Sequence, residues 1–199
     1  MKDDFPSREA FEHAAWFLMC ESRALRAVAQ VEAGAAGGFN DDGTPVVLFE
    51  RHKFDGHTKG RFRGRKCPGV PAAVSVISSP VWDAKTYGPT SIQHRKLDFA
   101  ASLDREAALK SASWGLFQIL GENYAVAGFD DLQSFINAMI RDVDGHLRAL
   151  VMFIRHNRAL LTAVRSRDWP IVALHYNGRR FKENQYDTKM AVAYAKLPA

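Results

Sequence analysis

A glutamate occupies a position where the helical pattern of the chain calls for an aliphatic side chain. Leu25, Val28 and Ala29 are spaced as the apolar face of a helix, and Glu32 takes the next position on that face. A carboxyl group against apolar walls is disfavoured in its ionised form, so its pKa rises. A general acid that works near neutral pH needs this property. The same pattern also fits a partly exposed glutamate at a frayed helix end.

A second carboxylate follows in the segment Leu48-Phe49-Glu50-Arg51-His52. The β-forming residues from Val46 to His52 predict a strand, on which Glu50 shares a face with Val46 and Leu48. A helix end, a turn and this strand could bring Glu50 across a cleft from Glu32, as the paired carboxyls of glycosidases require. Alternatively, Glu50 is a charge at a strand edge that pairs with a basic neighbour.

The stretch from Ser113 to Ile119 combines a flexible backbone position with a polar side chain in an apolar run. Gly115 lets another group approach the backbone closely. Gln118 places an amide among apolar residues, and a buried amide needs hydrogen-bond partners. The N-acetyl group of a sugar offers one donor and one acceptor to match it. A helix start with a core glutamine is the alternative.

The stretch from Ala173 to Gly178 predicts the end of a helix. Asn177 followed by Gly178 is typical of a helix C-terminus with a left-handed residue. Tyr176 would lie near that end, where it offers an aromatic face and a hydroxyl. A core tyrosine beside an ordinary helix cap fits the spacing equally well.

The sequence pattern predicts that these residues lie on a mainly α scaffold with a small β element. Ser7 can cap a helix that ends near Met19, and Ser22 can cap the next, which ends near Glu32 where glycines follow. Residues 55–95 are predicted to form a long irregular region with short elements. Asp130 and Gln133 resemble a capping box. Further helices are predicted over 100–113, 131–156, 158–166 and 169–176, and from a cap at Asp187 to Lys196.

Length and composition indicate one domain. The 199 residues can build a sizeable core, and no apolar run is as long as a membrane span. Cys20 and Cys67 do not form a disulfide framework, and no Cys/His spacing indicates a metal site, so we expect no metal or cofactor. The net charge of +5 favours a polyanionic partner, which could be nucleic acid, anionic lipid or an acidic cell-surface polymer.

Taken in order, these stretches resemble the lysozyme-like superfamily, in the branch of goose-type lysozymes and soluble lytic transglycosylases. The resemblance is closer to the N-acetylmuramidase domain of phage endolysins, and it extends from about residue 10 to 197. Four segments carry it: Ala27-Val28-Ala29-Gln30-Val31-Glu32, Gly37-Gly38-Phe39, Leu48-Phe49-Glu50-Arg51-His52, and Ser113 to Ile119.

The resemblance implies a lysozyme-like fold whose β element lies beside a sugar cleft. It also implies cleavage of the β-1,4 bond between N-acetylmuramic acid and N-acetylglucosamine, with Glu32 matching the catalytic acid and Glu50 the second acidic position. The implied substrate-binding residues are Gln118, Tyr176 and Asn177, with Gly115 and Phe117 beside Gln118. Asp41, Asp42 and Asp55 are the other candidates for the second acid.

The resemblance also sets expectations about partners and location. The partner is the glycan strand of peptidoglycan, and the protein is expected to be a monomer that spans 1–199 as one catalytic domain without a separate wall-binding module. The first residues are not a secretory signal. An endolysin without a signal is made in the host cytoplasm and reaches the periplasmic wall once a separate pore opens.

Two other functions remain open from the sequence. A lytic transglycosylase breaks the same bond with one acid and leaves a 1,6-anhydro product. A non-catalytic basic binder could dock on anionic lipopolysaccharide or membrane through arginines on a helix over 131–166, although a solvated helix face is the simpler explanation. Nucleic acid is not expected, because aromatic residues do not alternate with the basic ones. The arginines are Arg141, Arg148, Arg155, Arg158 and Arg165.

Overall fold

The computed structural model describes residues 5–33, 37–179 and 181–198. Within those ranges the chain forms ten α-helices and three short strands, so the prediction of a mainly α protein with a small β element is confirmed. The elements are α1 (Arg8–Leu18), α2 (Ser22–Ala33), β1 (Val47–Phe49), α3 (Arg51–His57), α4 (Gln93–Leu103), α5 (Arg105–Lys110), β2 (Ala112–Trp114), β3 (Ile119–Leu120), α6 (Leu132–Arg141), α7 (Val143–His156), α8 (Arg158–Ser166), α9 (Trp169–Asn177) and α10 (Tyr186–Lys196).

Helix α2 runs through the centre of the helical part. It packs against α1, α8 and α10, and the predicted apolar face of Leu25, Val28 and Ala29 is fully buried. Burial of such a face supplies most of a helix's stability in a folded protein. The predicted cap of α1 is confirmed, since the Ser7 hydroxyl accepts from Ala10 N at 3.1 Å. Gly34, expected to end α2, lies outside the described residues.

The three strands form one antiparallel sheet in the order β1-β2-β3. The register pairs Val47 with Trp114 and Phe49 with Ala112. A tight turn joins β2 to β3, in which Gly115 has a φ of 68° and Gln118 a φ of 49°. The stretch from Ser113 to Ile119 is therefore a hairpin rather than a helix start, and its glycine is needed for the left-handed backbone.

The strand predicted over Val46 to His52 is shorter than expected. It ends at Phe49, and α3 begins at Arg51. His52, predicted on the strand, and His57, predicted in the irregular region, therefore both lie on α3. The amides of Lys53 and Phe54 donate to the Glu50 carbonyl, which starts the helix, and Phe54 is fully buried. Glu50 therefore occupies the junction of β1 and α3.

The long helix predicted over 131–156 is two helices, α6 and α7. The cap of α6 is Asp131 and not Asp130, since Asp131 accepts from Ser134 N at 2.8 Å. Asp142 interrupts the helix because its side chain accepts from Gly145 N at 2.8 Å and so caps α7. Gly145 also lies directly against the Ala138 carbonyl of α6, where a side chain would not fit.

The break also removes the predicted arginine stripe, because the five arginines are distributed over three helices. Arg141 pairs with the neighbouring Asp142 at 2.8 Å. Arg155 covers the Phe17 ring at 4.6 Å, and Arg165 donates to the Leu18 carbonyl at 2.8 Å. These side chains thus serve contacts within the fold instead of forming one continuous basic face.

Other helix boundaries also differ from the predictions. Helix α4 starts at Gln93, and Asp104 separates it from α5 by accepting from Ala107 N at 3.1 Å. Asp187 lies in the first turn of α10, whose N-cap is Gln185. Both cysteines are free thiols. Within the described ranges, no helix has the length and apolar character to cross a membrane.

We expect Gly145→Ala to destabilise the protein by about 1–3 kcal/mol, because the added methyl group would overlap the Ala138 carbonyl and push α6 and α7 apart. Urea unfolding measures the difference. Gly56→Ala is the matched control, since its methyl group meets nothing within 4 Å on helix α3, and it should be neutral or slightly stabilising. Equal unfolding midpoints for the two variants would contradict this account of the helix break.

Candidate active site

The carboxyl group of Glu32 lies in the last turn of α2, largely buried. Asn177 Nδ2 donates to Glu32 Oε2 at 3.0 Å. Within the part of the chain that the structure describes, Glu32 Oε1 is buried without a hydrogen-bond partner. Burial raises the pKa of Glu32 to about 7, and the hydrogen bond from Asn177 opposes this rise only in part. The group can therefore hold a proton near neutral pH.

The end of α9 supplies two of the predicted cleft residues. Gly178 follows the helix with a φ of 79° and an extended ψ, so its backbone is strained for other residues but is not the left-handed helical conformation expected. Tyr176 donates from its hydroxyl to the Phe117 carbonyl at 2.9 Å. Burial, and then the nearby charge of Glu32, raise the pKa of Tyr176 well above its usual value. One helix end thus contacts both Glu32 and the β hairpin.

Glu50 has a different environment, with hydroxyl donors around it. Ser113 donates from Oγ to Glu50 Oε1 at 3.0 Å, and Tyr87 donates from its hydroxyl to Oε2 at 3.4 Å. His52 Nε2 lies 3.5 Å from Oε2. Burial lowers the pKa of His52, so at neutral pH this contact is not an ion pair. Glu50 is therefore a hydrogen-bonded carboxyl at the sheet, and not simply a charge paired with a basic neighbour.

A cleft of about 250 Å³ lies between α2 and the sheet. Ala33, next to Glu32, and Gly37 line one side, and residues 46–48 at the start of β1, two positions before Glu50, line another. Gln118 also lines this cleft, and its amide nitrogen donates to the Gly115 carbonyl at 2.8 Å. Of the predicted site residues, Gln118 lines this cleft itself, and Glu32 and Glu50 lie within two positions along the chain of residues that line it, whereas Tyr176 and Asn177 do not line it.

Two predicted substrate-binding residues contribute through their backbone instead of their side chains. The Phe117 ring lies in the core, and only its carbonyl takes part, as the acceptor from Tyr176. Gly115 packs directly against the His146 ring, which a side chain at this position would overlap. Neither residue lines the cleft. Both therefore shape the turn that presents Gln118.

His146 is a structural residue of the site that the sequence analysis missed. Its Nδ1 accepts from Leu116 N at 3.1 Å, and its Nε2 contacts the Met139 carbonyl at 2.7 Å, so the ring is neutral with the proton on Nε2. The ring also stacks on Phe39 at 5.0 Å. His146 thus supports the hairpin turn and the segment after α2, and a single histidine on α7 carries no sequence signal for this role.

Two of the other candidates for the second acid, Asp55 and Asp42, have structural partners. Asp55 accepts two hydrogen bonds from Arg63, at 3.1 and 2.8 Å, and one from Ser78. The Arg63 guanidinium holds the pKa of Asp55 below its usual value. Asp42 accepts from the Thr44 amide at 2.9 Å within a turn, and Asp41 is exposed on that turn. Of these carboxylates, Glu50 is the one that follows a segment, residues 46–48, that lines the cleft.

A family model for N-acetylmuramidase, named Muramidase, matches residues 21–198. The chain belongs to this family. It is therefore a glycoside hydrolase that acts on peptidoglycan. The chain is also similar to the crystal structure of the Burkholderia AP3 phage endolysin, with 30% sequence identity and a TM-score of 0.84, over 97% of this chain and 70% of that chain. This similarity confirms the predicted lysozyme-like fold. No curated protein matches the chain.

We expect Glu32→Gln to stabilise the enzyme in a pH-dependent manner. The pKa of Glu32 is about 7 when folded, against an ordinary value of 4.5. Below pH 4.5 the carboxyl is mostly protonated in both the folded and the unfolded protein, so its burial does not lower the free energy of unfolding. As the pH rises towards 7 and above, the unfolded chain releases this proton more readily than the folded protein does. The free energy of unfolding of the parent therefore falls by about 3 kcal/mol, whereas that of the glutamine variant does not.

Urea unfolding at pH 4 and pH 8 tests this expectation. The variant should match the parent at pH 4 and exceed it by about 3 kcal/mol at pH 8. Glu12→Gln, on the exposed face of α1, is the control and should show no such divergence. A Glu32 variant that is no more stable than the parent at pH 8 would mean that the carboxyl is not desolvated.

Proposed function

We propose that this chain acts as an endolysin and cleaves the β-1,4 bond between N-acetylmuramic acid and N-acetylglucosamine, with Glu32 as the general acid. The observation that carries the proposal is the buried Glu32 carboxyl, whose pKa of about 7 keeps a proton available at neutral pH. Protonated Glu32 donates to the glycosidic oxygen as the bond breaks. Asn177 orients the carboxyl through its hydrogen bond to Oε2.

Glu50 acts as the second carboxylate in this proposal. Its hydrogen bonds from Ser113 and Tyr87 fix the carboxyl directly after β1, close along the chain to residues 46–48, which line the cleft. From there it activates water or stabilises the positive charge that develops on the sugar ring. A second carboxylate favours hydrolysis over transglycosylation, which needs only one acid.

The family and the similar endolysin support proposals about the substrate, the biological role and the location of this protein. The substrate is the glycan strand of peptidoglycan, and a phage endolysin with the same fold supports a role in host lysis. We propose a monomer that is made in the host cytoplasm and acts on the wall in the periplasm. Docking on lipid through one basic helix is not carried forward, because the five arginines lie on three helices and at least three of them contact neighbouring residues.

We expect Glu32→Gln to lower lytic activity by a factor of about 100 or more, because the amide cannot donate the proton that the leaving oxygen needs. The loss of turbidity of cells stripped of their outer membrane measures the activity. Glu12→Gln is the control and should lyse like the parent. The parent's rate should decline as the pH rises above about 7, where Glu32 ionises. Substantial lysis by a well-folded Glu32→Gln variant would refute the assignment.

We expect Glu50→Gln to slow the enzyme by a factor of about 100 while it still binds the wall, because the amide cannot activate water. Mass spectrometry of the released muropeptides identifies the reaction that the parent catalyses. Hydrolysis leaves reducing muramic acid ends. Anhydro ends, lighter by one water, would instead identify a lytic transglycosylase and contradict the role given to Glu50.

A further inference from the structure

An exposed aromatic ring is connected to Glu50 through one tyrosine. The Trp82 side chain is 52% exposed and hydrogen-bonds to the Tyr87 hydroxyl. That hydroxyl lies 3.4 Å from Glu50 Oε2, to which it donates. The indole N–H, the phenol and the carboxyl therefore form one hydrogen-bonded series, with the tryptophan at its outer end.

The segment that carries this tryptophan, residues 81–88, is held at both ends. Arg51 donates from Nη2 to the Val81 carbonyl at 3.3 Å. At the other end the Tyr87 carbonyl accepts from Gln93 Nε2 at 2.7 Å and from Lys96 Nζ at 3.0 Å. The segment has no strand or long helix of its own, so these side chains fix its conformation.

Lys96 indicates how strongly the fold favours this conformation. Only 1% of the residue is exposed, and its ammonium group donates to the carbonyls of Thr86 and Tyr87 rather than to a carboxylate. Burial lowers the pKa of Lys96 to about 8, which reflects the cost of removing the charge from water. The two hydrogen bonds from this ammonium group hold the C-terminal part of the segment 81–88 in place.

The chemistry of the ring indicates its ligand. With its N–H bonded to Tyr87, the indole has its polar edge satisfied and its apolar surface exposed. The face of an aromatic ring carries negative partial charge, which attracts the weakly positive C–H groups on the flat side of a pyranose. Gly88, Thr90 and Gln93, which follow Tyr87 along the chain, line the cleft next to β1. A glycan strand in the cleft can therefore extend onto this ring.

We propose that Trp82 forms a saccharide-binding subsite on the Glu50 side of the cleft, where a sugar ring of the glycan strand stacks on the indole. The inference rests on the proposed function, since it takes the glycan strand as substrate. Tyr87 links the two groups, because its hydroxyl hydrogen-bonds both to the indole of Trp82 and to the Glu50 carboxyl.

The test separates binding from catalysis. Trp82→Ala is made in the Glu32→Gln background, and isothermal titration calorimetry measures its affinity for soluble peptidoglycan glycan strands without stem peptides. Loss of the stacking surface should weaken binding about tenfold. Trp82→Phe keeps an aromatic face and should recover most of the affinity. Trp16→Ala removes an 83% exposed tryptophan at the end of α1 and should change nothing.

The outcomes distinguish this inference from the function on which it rests. In the otherwise unchanged enzyme, Trp82→Ala should raise KM about tenfold with little change in kcat, whereas a general loosening of the fold would lower kcat as well. Unchanged affinity in the Trp82→Ala protein would overturn the subsite. Full lysis by the Glu32→Gln protein would overturn the proposed function instead, whatever the affinity measured.

Discussion

The removal of the Glu32 carboxyl from water is the constraint on which the rest of the site depends. Apolar packing of Leu25, Val28 and Ala29 fixes α2 in the core, and Glu32 follows on the same face. Among the described residues, the carboxyl then has one hydrogen bond, from Asn177, against a strong loss of hydration. The balance favours the neutral acid. A more hydrated carboxyl would have an ordinary pKa and little capacity to donate a proton at neutral pH.

Several distant parts of the chain meet around this carboxyl. The end of α9 supplies Asn177 to Glu32, and Tyr176 binds the hairpin turn at Phe117. His146 on α7 accepts a hydrogen bond from Leu116 N in the same turn, and its ring stacks on Phe39. These contacts join α2, α9, α7 and the sheet, so the geometry of the cleft is a property of the assembled fold. The two carboxyls also differ in their surroundings, since Glu32 accepts from an amide and Glu50 accepts from a hydroxyl on each of its oxygens.

The features of the fold that depend on neighbouring residues were predictable from the sequence. The apolar periodicity predicted the buried face of α2. The cap of α1 at Ser7 and the short strand near Phe49 were also predictable, because they depend on local side-chain chemistry. The errors came where a local signal had two solutions. The apolar spacing continues from 131 to 156 and therefore predicts one helix. Asp142, however, can either lie within a helix or cap a new one. It caps α7, and Gly145 then packs closely against the Ala138 carbonyl of α6.

The sequence by itself determined the helical pattern, the unusual position of Glu32 and the ordered motifs that indicate a muramidase. Each of these depends on residues close together in the chain, where spacing maps directly onto one helix face or one turn. Only the tertiary structure decided how far Glu32 is desolvated, that Glu50 lies between Ser113 and Tyr87, and that Lys96 is buried to hold the segment 81–88. Desolvation and hydrogen bonds between distant residues depend on what packs around each group in space, and spacing along the chain does not specify that.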